Sequence, residues 1–298
     1  MKRILSLILA LMMMFVLASC AEEALKAEEK PAAEEKVAED APETPEMPGK
    51  PEIPEAAFDL WVDDEDPVLD PEVTESEDGT MTYKISTKSY SHWYINEEGG
   101  YDYLAENKIK TGDDWYYYDV EFSTADTAFI VMDPWCDWAD DFLNEYFGAI
   151  TEKTTLPLMQ AAAERGHKVI ILTNDPAKTK YNTKITPGLQ ELVDAGKAEL
   201  LYHTDWPQDK FIAKLDEEGI TKLIYTGYAS NMCVLTRDLG ISKMIGKGKQ
   251  LYFIPECSGA MEHADTWETQ EVHKATTFII GQVQAKLIDF EDIYNVLK

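Results

Sequence analysis

Cys233 closes the string IYTGYASNMC, and Asp133 closes FIVMD roughly a hundred residues earlier. Each follows a short apolar run of strand character, and the residues around Cys233 read as the start of a helix. A thiol at a helix start has its thiolate favoured by the helix dipole and by unpaired backbone N–H groups, while a nearby carboxylate can take its proton. That combination is the chemistry of an activated nucleophile. Cysteine is also a common buried residue and a strand-end aspartate often only supports a loop, so packing roles stay open for both.

The elements that would position this pair begin at Thr127, where short apolar strands alternate with helical segments. Strands are expected at AFIVMD (Ala128 to Asp133), KVIILT (Lys168 to Thr173), AELLY (Ala198 to Tyr202), KLIYTG (Lys222 to Gly227) and QLYFIP (Gln250 to Pro255). Helices are expected from Thr155 to Arg165, Pro187 to Asp194, Gln208 to Glu218, from near Cys233, and from Asp265 to about Lys286. Gly166, Gly196 and Gly219 stand at three of their ends as C-caps. This predicts an α/β fold of three layers, a mostly parallel sheet of five to six strands flanked by helices. Sites in such sheets lie beyond the C-terminal strand ends where strand order reverses, and Asp133 and Cys233 both occupy such ends.

The string TGYASNMCV resembles the nucleophile motif of the isochorismatase-like cysteine hydrolases: an apolar strand, Thr-Gly, a small-residue turn, then Cys-Val. FIVMDPWCDW stands where that family has a strand ending in Asp, and GHKVIILTND matches the strand between the two motifs. The resemblance runs from Thr127 to the C-terminus. It implies Cys233 as nucleophile and Asp133 as the general base that takes the thiol proton and returns it to the leaving group. It also implies a cis peptide between Tyr228 and Ala229. The N–H groups of Ala229 and Cys233 would then face a developing oxyanion, worth about 3 kcal/mol per donor.

The chain departs from the family pattern in three places. The family lysine after the third strand falls here on Leu200 or Leu201, in AELLYHTDWPQDKF. His203 is the best local substitute, since a protonated imidazole could stabilise the same negative charge, and Lys197 or Lys210 could serve only if the loop folds differently. Pro134-Trp135 replaces the usual Gln, giving a bulkier and more apolar pocket wall. Trp135, Asp137, Trp138 and Asn231 are expected to line that pocket, with packing as the alternative for the tryptophans. TNDPAKTKYN carries no histidine, so the Asp-x-His metal motif of the related nicotinamidases is missing. Neither a metal nor a cofactor is expected. Cys136 and Cys257 stand near strand ends, so Cys136–Cys257 or Cys136–Cys233 disulfides are conceivable, against a plainer reading as part-buried thiols. Glu256 stands where the family commonly has Asp, as a hydrogen-bonding support.

Lys2 and Arg3, the apolar run Ile4 to Leu17 and the exit LASC have the build of a secretory signal, and the run is shorter than the roughly 20 residues of a membrane span. The end of this segment (residues 1–20) resembles a lipobox, which implies lipidation, with palmitate among the acyl chains, of Cys20 and a membrane lipoprotein on the extracytoplasmic side. Residues 21–57 are Glu, Ala, Lys and Pro without an aromatic, and are expected to be a disordered tether able to span on the order of 100 Å. Residues 58–124 turn aromatic: MTYKIS, SYSHWYI, YDYL and DDWYYYDVEF read as strands of an N-terminal extension packed on the hydrolase-like domain, residues 125–298, over one end of its sheet. An aromatic ligand platform is the alternative there.

The net charge of -29 repels phosphate backbones, so nucleic acid is not an expected partner. The partners expected are a small-molecule substrate and, through Cys20, a membrane, and the resemblance adds self-association by analogy. The leading functional expectation is an exported cysteine hydrolase cleaving a carbon–nitrogen bond of a small amide. In the family the isochorismate branch hydrolyses a vinyl ether without such a cysteine, so Cys233 favours amides. The alternative is a lapsed relative that binds a small molecule or protein; a thiol redox role would need two cysteines in bonding reach.

Overall fold

A computed structural model describes residues 52–57, 72–90 and 115–298. Among them nine strands form one sheet: β1 (Val73–Glu75), β2 (Met81–Tyr90), β3 (Trp115–Ser123), β4 (Thr127–Met132), β5 (Lys168–Thr173), β6 (Glu199–Tyr202), β7 (Lys222–Tyr228), β8 (Gln250–Gly259) and β9 (Lys286–Leu287). β6, β5, β4, β7, β8 and β9 run parallel in that spatial order. β2 then joins β9 antiparallel, β3 pairs along the whole of β2, and β1 closes a short hairpin on it. The sheet is therefore mixed and larger than the five to six strands expected. β9 is too short to leave an apolar pattern, and the additions at that edge come from the aromatic segment.

Every residue of β4 is buried, as a strand covered on both faces requires. Alternation along the strands sorts the core in two. Phe129, Val131, Val169, Ile171 and Ile224 pack with the helices Leu156–Glu164, Pro187–Asp194 and Phe290–Leu297, through Leu158, Leu189 and Ile293. Ala128, Ile130, Ile170, Leu172 and Tyr225 pack with Gln208–Glu217, Ile241–Met244 and Glu271–Val283, through Phe211, Leu215, Met244 and Ile280.

The aromatic segment is part of the core rather than a cover over one end of the sheet. Met81, Tyr83, Ile85 and Phe122 are buried in the first cluster, Phe122 meets Tyr252 edge-on at 4.8 Å, and Tyr83 Oη lies 3.0 Å from His167 Nε2. Apart from Ser89 and Tyr90, the strings SYSHWYI and YDYL lie outside the described residues, as do the signal segment, Cys20 and most of the tether. The last residues assigned to the tether are docked instead. Glu52 O accepts from Trp267 Nε1 at 3.1 Å, and Ala57 is buried in a cluster with Tyr146 and Trp267.

The helix expected from Thr155 starts earlier, at Asp141. Asp140 caps it by accepting from Phe142 N (2.8 Å), and it continues through a π turn, Thr151–Thr155, into Leu156–Glu164. Threonines lower helix propensity, which hides this continuity in the sequence; here Thr151 and Thr154 donate back to Phe147 O (2.8 Å) and Ile150 O (2.9 Å). The last expected helix is shorter than drawn, Glu271–Val283, and is followed by β9 and by Phe290–Leu297, which Asp289 caps. β4, β5 and β6 step outward in one direction, after which the chain returns to lay β7 and β8 on the other side of β4. The strand order thus reverses between β4 and β7, the place where sheets of this kind bind ligands at the C-terminal strand ends.

Candidate active site

The ends of β4 and β7 touch. Gly227 has φ +96°, and a β-carbon on it would lie 2.1 Å from Met132 O, so only glycine allows the approach. Asp133 follows Met132 in the left-handed region (φ 46°), with its N–H bonded to Leu172 O at 2.8 Å. This turn carries a fully buried carboxylate at the point of reversal.

Both carboxylate oxygens of Asp133 are engaged. His203 Nε2 lies 2.7 Å from Oδ1 and Arg237 Nε lies 3.0 Å from Oδ2. His203 follows β6 and is held by its own N–H on Thr173 O at 3.0 Å. Arg237 Nη2 donates to Asn174 Oδ1 at 3.1 Å, and Asn174 Nδ2 donates to Asn182 O at 3.1 Å. The Trp135 ring lies 5.8 Å from the guanidinium carbon, and its indole N–H is fixed on Thr173 Oγ1 at 2.8 Å.

Cys233 sits in a five-residue π turn, Ser230–Val234, rather than at the start of a long helix. The expected helix-dipole support for its thiolate is therefore absent. Burial, then the charge of Asp133 and a hydrogen bond to it, push the thiol up to about 12, while Arg237 acts in the opposite direction. The thiol therefore rests protonated at neutral pH, under the opposed charges of a carboxylate and a guanidinium.

The Tyr228–Ala229 peptide is cis. Tyr228 is buried, and its hydroxyl lies 2.9 Å from Oγ1 of Thr151, whose own proton goes to Phe147 O, so the phenol donates. Ala229 O receives Met232 N (3.0 Å) and Val234 N (3.2 Å), which folds the turn tightly. Ser230 and Asn231 brace it from outside. Asn231 Oδ1 accepts from Met261 N at 3.0 Å, so its amide holds a neighbouring loop. Ser230 Oγ lies 2.7 Å from His273 Nδ1, and His273 Nε2 lies 3.1 Å from Pro255 O. A carbonyl only accepts, so Nε2 carries the proton and the serine donates to Nδ1. Burial lowers His273 to about 4, which keeps it neutral.

Trp135 stacks edge-on to Trp138 at 4.9 Å. Asp137 accepts from Thr183 N (3.0 Å) and Lys184 N (3.1 Å), a staple for the loop after β5. Leu201 is in the core, Lys197 pairs with Glu164 at 3.8 Å, and Lys210 Nζ donates to Asp205 O at 2.9 Å. None of these pairs with Asp133; the guanidinium that does belongs to Arg237, a residue the sequence reading passed over. Its spacing of one turn from Cys233 was the available signal. Cys136, Cys233 and Cys257 are all thiols, and Cys136 Sγ donates to Ile185 O at 3.3 Å, so neither conceivable disulfide is formed. Glu256 O shares the one Thr154 hydroxyl proton with Ile150 O (2.8 and 2.9 Å), while its side-chain Oε2 is buried without a partner. Among the described residues no group of three or more His, Cys, Asp or Glu is placed to hold a metal ion.

No protein-family model and no curated protein matches the chain. Among solved structures it is similar to a cysteine hydrolase of Pseudomonas syringae (14% identity, TM-score 0.46, 59% of this chain and 94% of that one). It is also similar to an isochorismatase of Pseudomonas putida (15%, 0.45, 59% and 91%) and a nicotinamidase of Bacillus subtilis (18%, 0.39, 54% and 98%). Likeness at this level fixes no correspondence between residues, so the chemistry of the site rests on the distances within it.

Proposed function

We propose that the chain is a cysteine hydrolase acting on a carbon–nitrogen bond of a small amide, with Cys233 as nucleophile and Asp133 as proton carrier. The observation that carries this reading is a fully buried carboxylate, oriented by His203 and by Arg237, at the point where strand order reverses, with Cys233 one turn before that arginine. As Sγ attacks the carbonyl carbon, its proton passes to Asp133. The oxyanion faces the N–H groups of Ala229 and Cys233. Collapse of the tetrahedral adduct breaks the C–N bond, and the proton on Asp133 leaves with the amine. Water then attacks the thioester, giving one proton to Asp133, and the acid departs as the thiol is restored. His203 orients the carboxylate from its second oxygen.

The test is amine release from a panel of small primary amides and carbamoyl compounds by the full chain. Cys233→Ala is expected to abolish release and Asp133→Asn to lower it about 10³-fold. Undiminished release by Cys233→Ala would overturn the mechanism. A second reading, a binding module without turnover, is favoured by the burial that keeps the thiol protonated. It predicts saturable ligand binding with no release from any member of the panel.

Export and anchoring through Cys20 belong to the same proposal, supported by the LASC string and the apolar run before it. Mass spectrometry of the protein expressed in a bacterium is expected to find an acylated Cys20 at the mature N-terminus and an unprocessed chain in Cys20→Ala. An unmodified Cys20 would remove the anchor. Self-association is proposed by analogy only, and light scattering of the purified chain measures it.

A further inference from the structure

We propose that Arg237 is a catalytic residue of this site, the fixed counter-ion that takes over the Cys233 thiolate when Asp133 accepts its proton. The inference rests on the thiol mechanism proposed above and names a residue that mechanism lacks.

Three observations carry it. Arg237 follows Cys233 by one turn, with its N–H on Cys233 O at 3.2 Å, so both side chains leave the same face of the segment. Its guanidinium is clamped on two sides, by Asp133 Oδ2 at 3.0 Å and by Asn174 Oδ1 at 3.1 Å, and Trp135 lies alongside. Its charge also opposes the rise that burial and Asp133 impose on the thiol. In the resting site the guanidinium is paired with the carboxylate. When the S–H bond breaks and an O–H bond forms on Asp133, the carboxyl becomes neutral and the negative charge moves to sulfur. Arg237 then faces that charge without moving, and the pair is exchanged rather than broken. The same cation lies beside the sulfur when the thiolate leaves the thioester during its hydrolysis.

An arginine differs from a lysine in this place because it never gives up its proton. Proton traffic is therefore left to Asp133 and to His203, which reaches it from the solvent side with a side chain only 12% exposed. The charged groups facing the thiol are Asp133 from the end of β4 and Arg237 from its own segment. His203 acts through Asp133, and His273 behind Ser230 is neutral.

The test needs no substrate. Alkylation of each cysteine of the full chain by iodoacetamide is followed by mass spectrometry between about pH 7 and 10. Asp133→Asn removes a negative charge and is expected to speed the reaction at Cys233, whereas Arg237→Gln is expected to slow it about tenfold at each pH, with Arg237→Lys in between. Because Arg237→Gln leaves Asp133 unpaired and could unfold the protein, the double variant Asp133→Asn/Arg237→Gln is compared with Asp133→Asn alone. The same tenfold slowing is expected there. An Arg237→Gln effect of less than twofold in both backgrounds, with Asp133→Asn still faster than wild type, would overturn the role of Arg237 and leave the thiol mechanism standing. Identical rates in all variants would remove both.

Discussion

Two buried carboxyl groups, Asp133 after β4 and Glu256 in β8, stand in opposite circumstances. Asp133 receives a histidine on one oxygen and an arginine on the other, each brought from a different part of the chain. Glu256 has a buried Oε2 with no partner, and burial, aided by the charge of Asp289, raises it to about 8. It is therefore largely protonated at neutral pH. The thiols divide in the same way: burial raises both Cys233 and Cys257, and only Cys233 has a guanidinium acting against that shift. The difference teaches where this fold supports charge. A buried ion persists only where enough polar partners converge: side chains on both oxygens do so at Asp133, whereas at Glu256 backbone N–H groups and the charge of Lys88 do not offset burial.

The contrast breaks most completely if β4 and β7 are forced apart. Gly227→Ala meets both a positive φ and main-chain atoms of Met132, so it is expected to cost more than about 4 kcal/mol, or to prevent folding, in denaturant titration. A variant within about 1 kcal/mol of wild type would show that the two strand ends are not in contact.

The contrast sharpens when the same change, acid to amide, is made at both carboxyl groups. Asp133→Asn leaves Arg237 without its charge partner and is expected to destabilise by about 3 kcal/mol. Glu256→Gln is expected to stabilise, with a dependence on pH whose sign follows from the raised value. Below about 4.5 the group is protonated folded and unfolded, and the wild type carries no penalty. Between 4.5 and about 8 the unfolded chain ionises while the folded one resists, so wild-type stability falls as pH rises. The advantage of Glu256→Gln should grow across that window to on the order of a few kcal/mol and then level off. Thermal melts from pH 4 to 9 measure both variants, and equal effects of the same sign would erase the distinction.

Much of the fold was legible because its signals are local. The five long parallel strands are apolar runs, and three helices end on glycines the sequence displays. MTYKIS and DDWYYYDVEF read as strands, and the described residues of both fall in β2 and β3, but β2 also runs on into the start of SYSHWYI, and its addition to the sheet beside β9 depends on a pairing with Leu287 some two hundred residues away. No local pattern carries that information. The docking of Glu52 on Trp267 was illegible for the same reason, in a segment whose composition speaks only of solvation.

At the site the sequence by itself determined the chemical types and their rough address: a thiol and a carboxylate at two strand ends, a glycine that permits those ends to meet, and a histidine after β6. Tertiary structure alone decided that Arg237 rather than a lysine pairs with Asp133, that burial pushes the Cys233 thiol up, and that Asp137 and Asn231 brace loops. Residue type and spacing limit which atoms a segment offers and on which face. Burial, pairing and charge are sums over neighbours from β4, β5, β6 and β7 together, and those neighbours exist only once the strand order has reversed between β4 and β7.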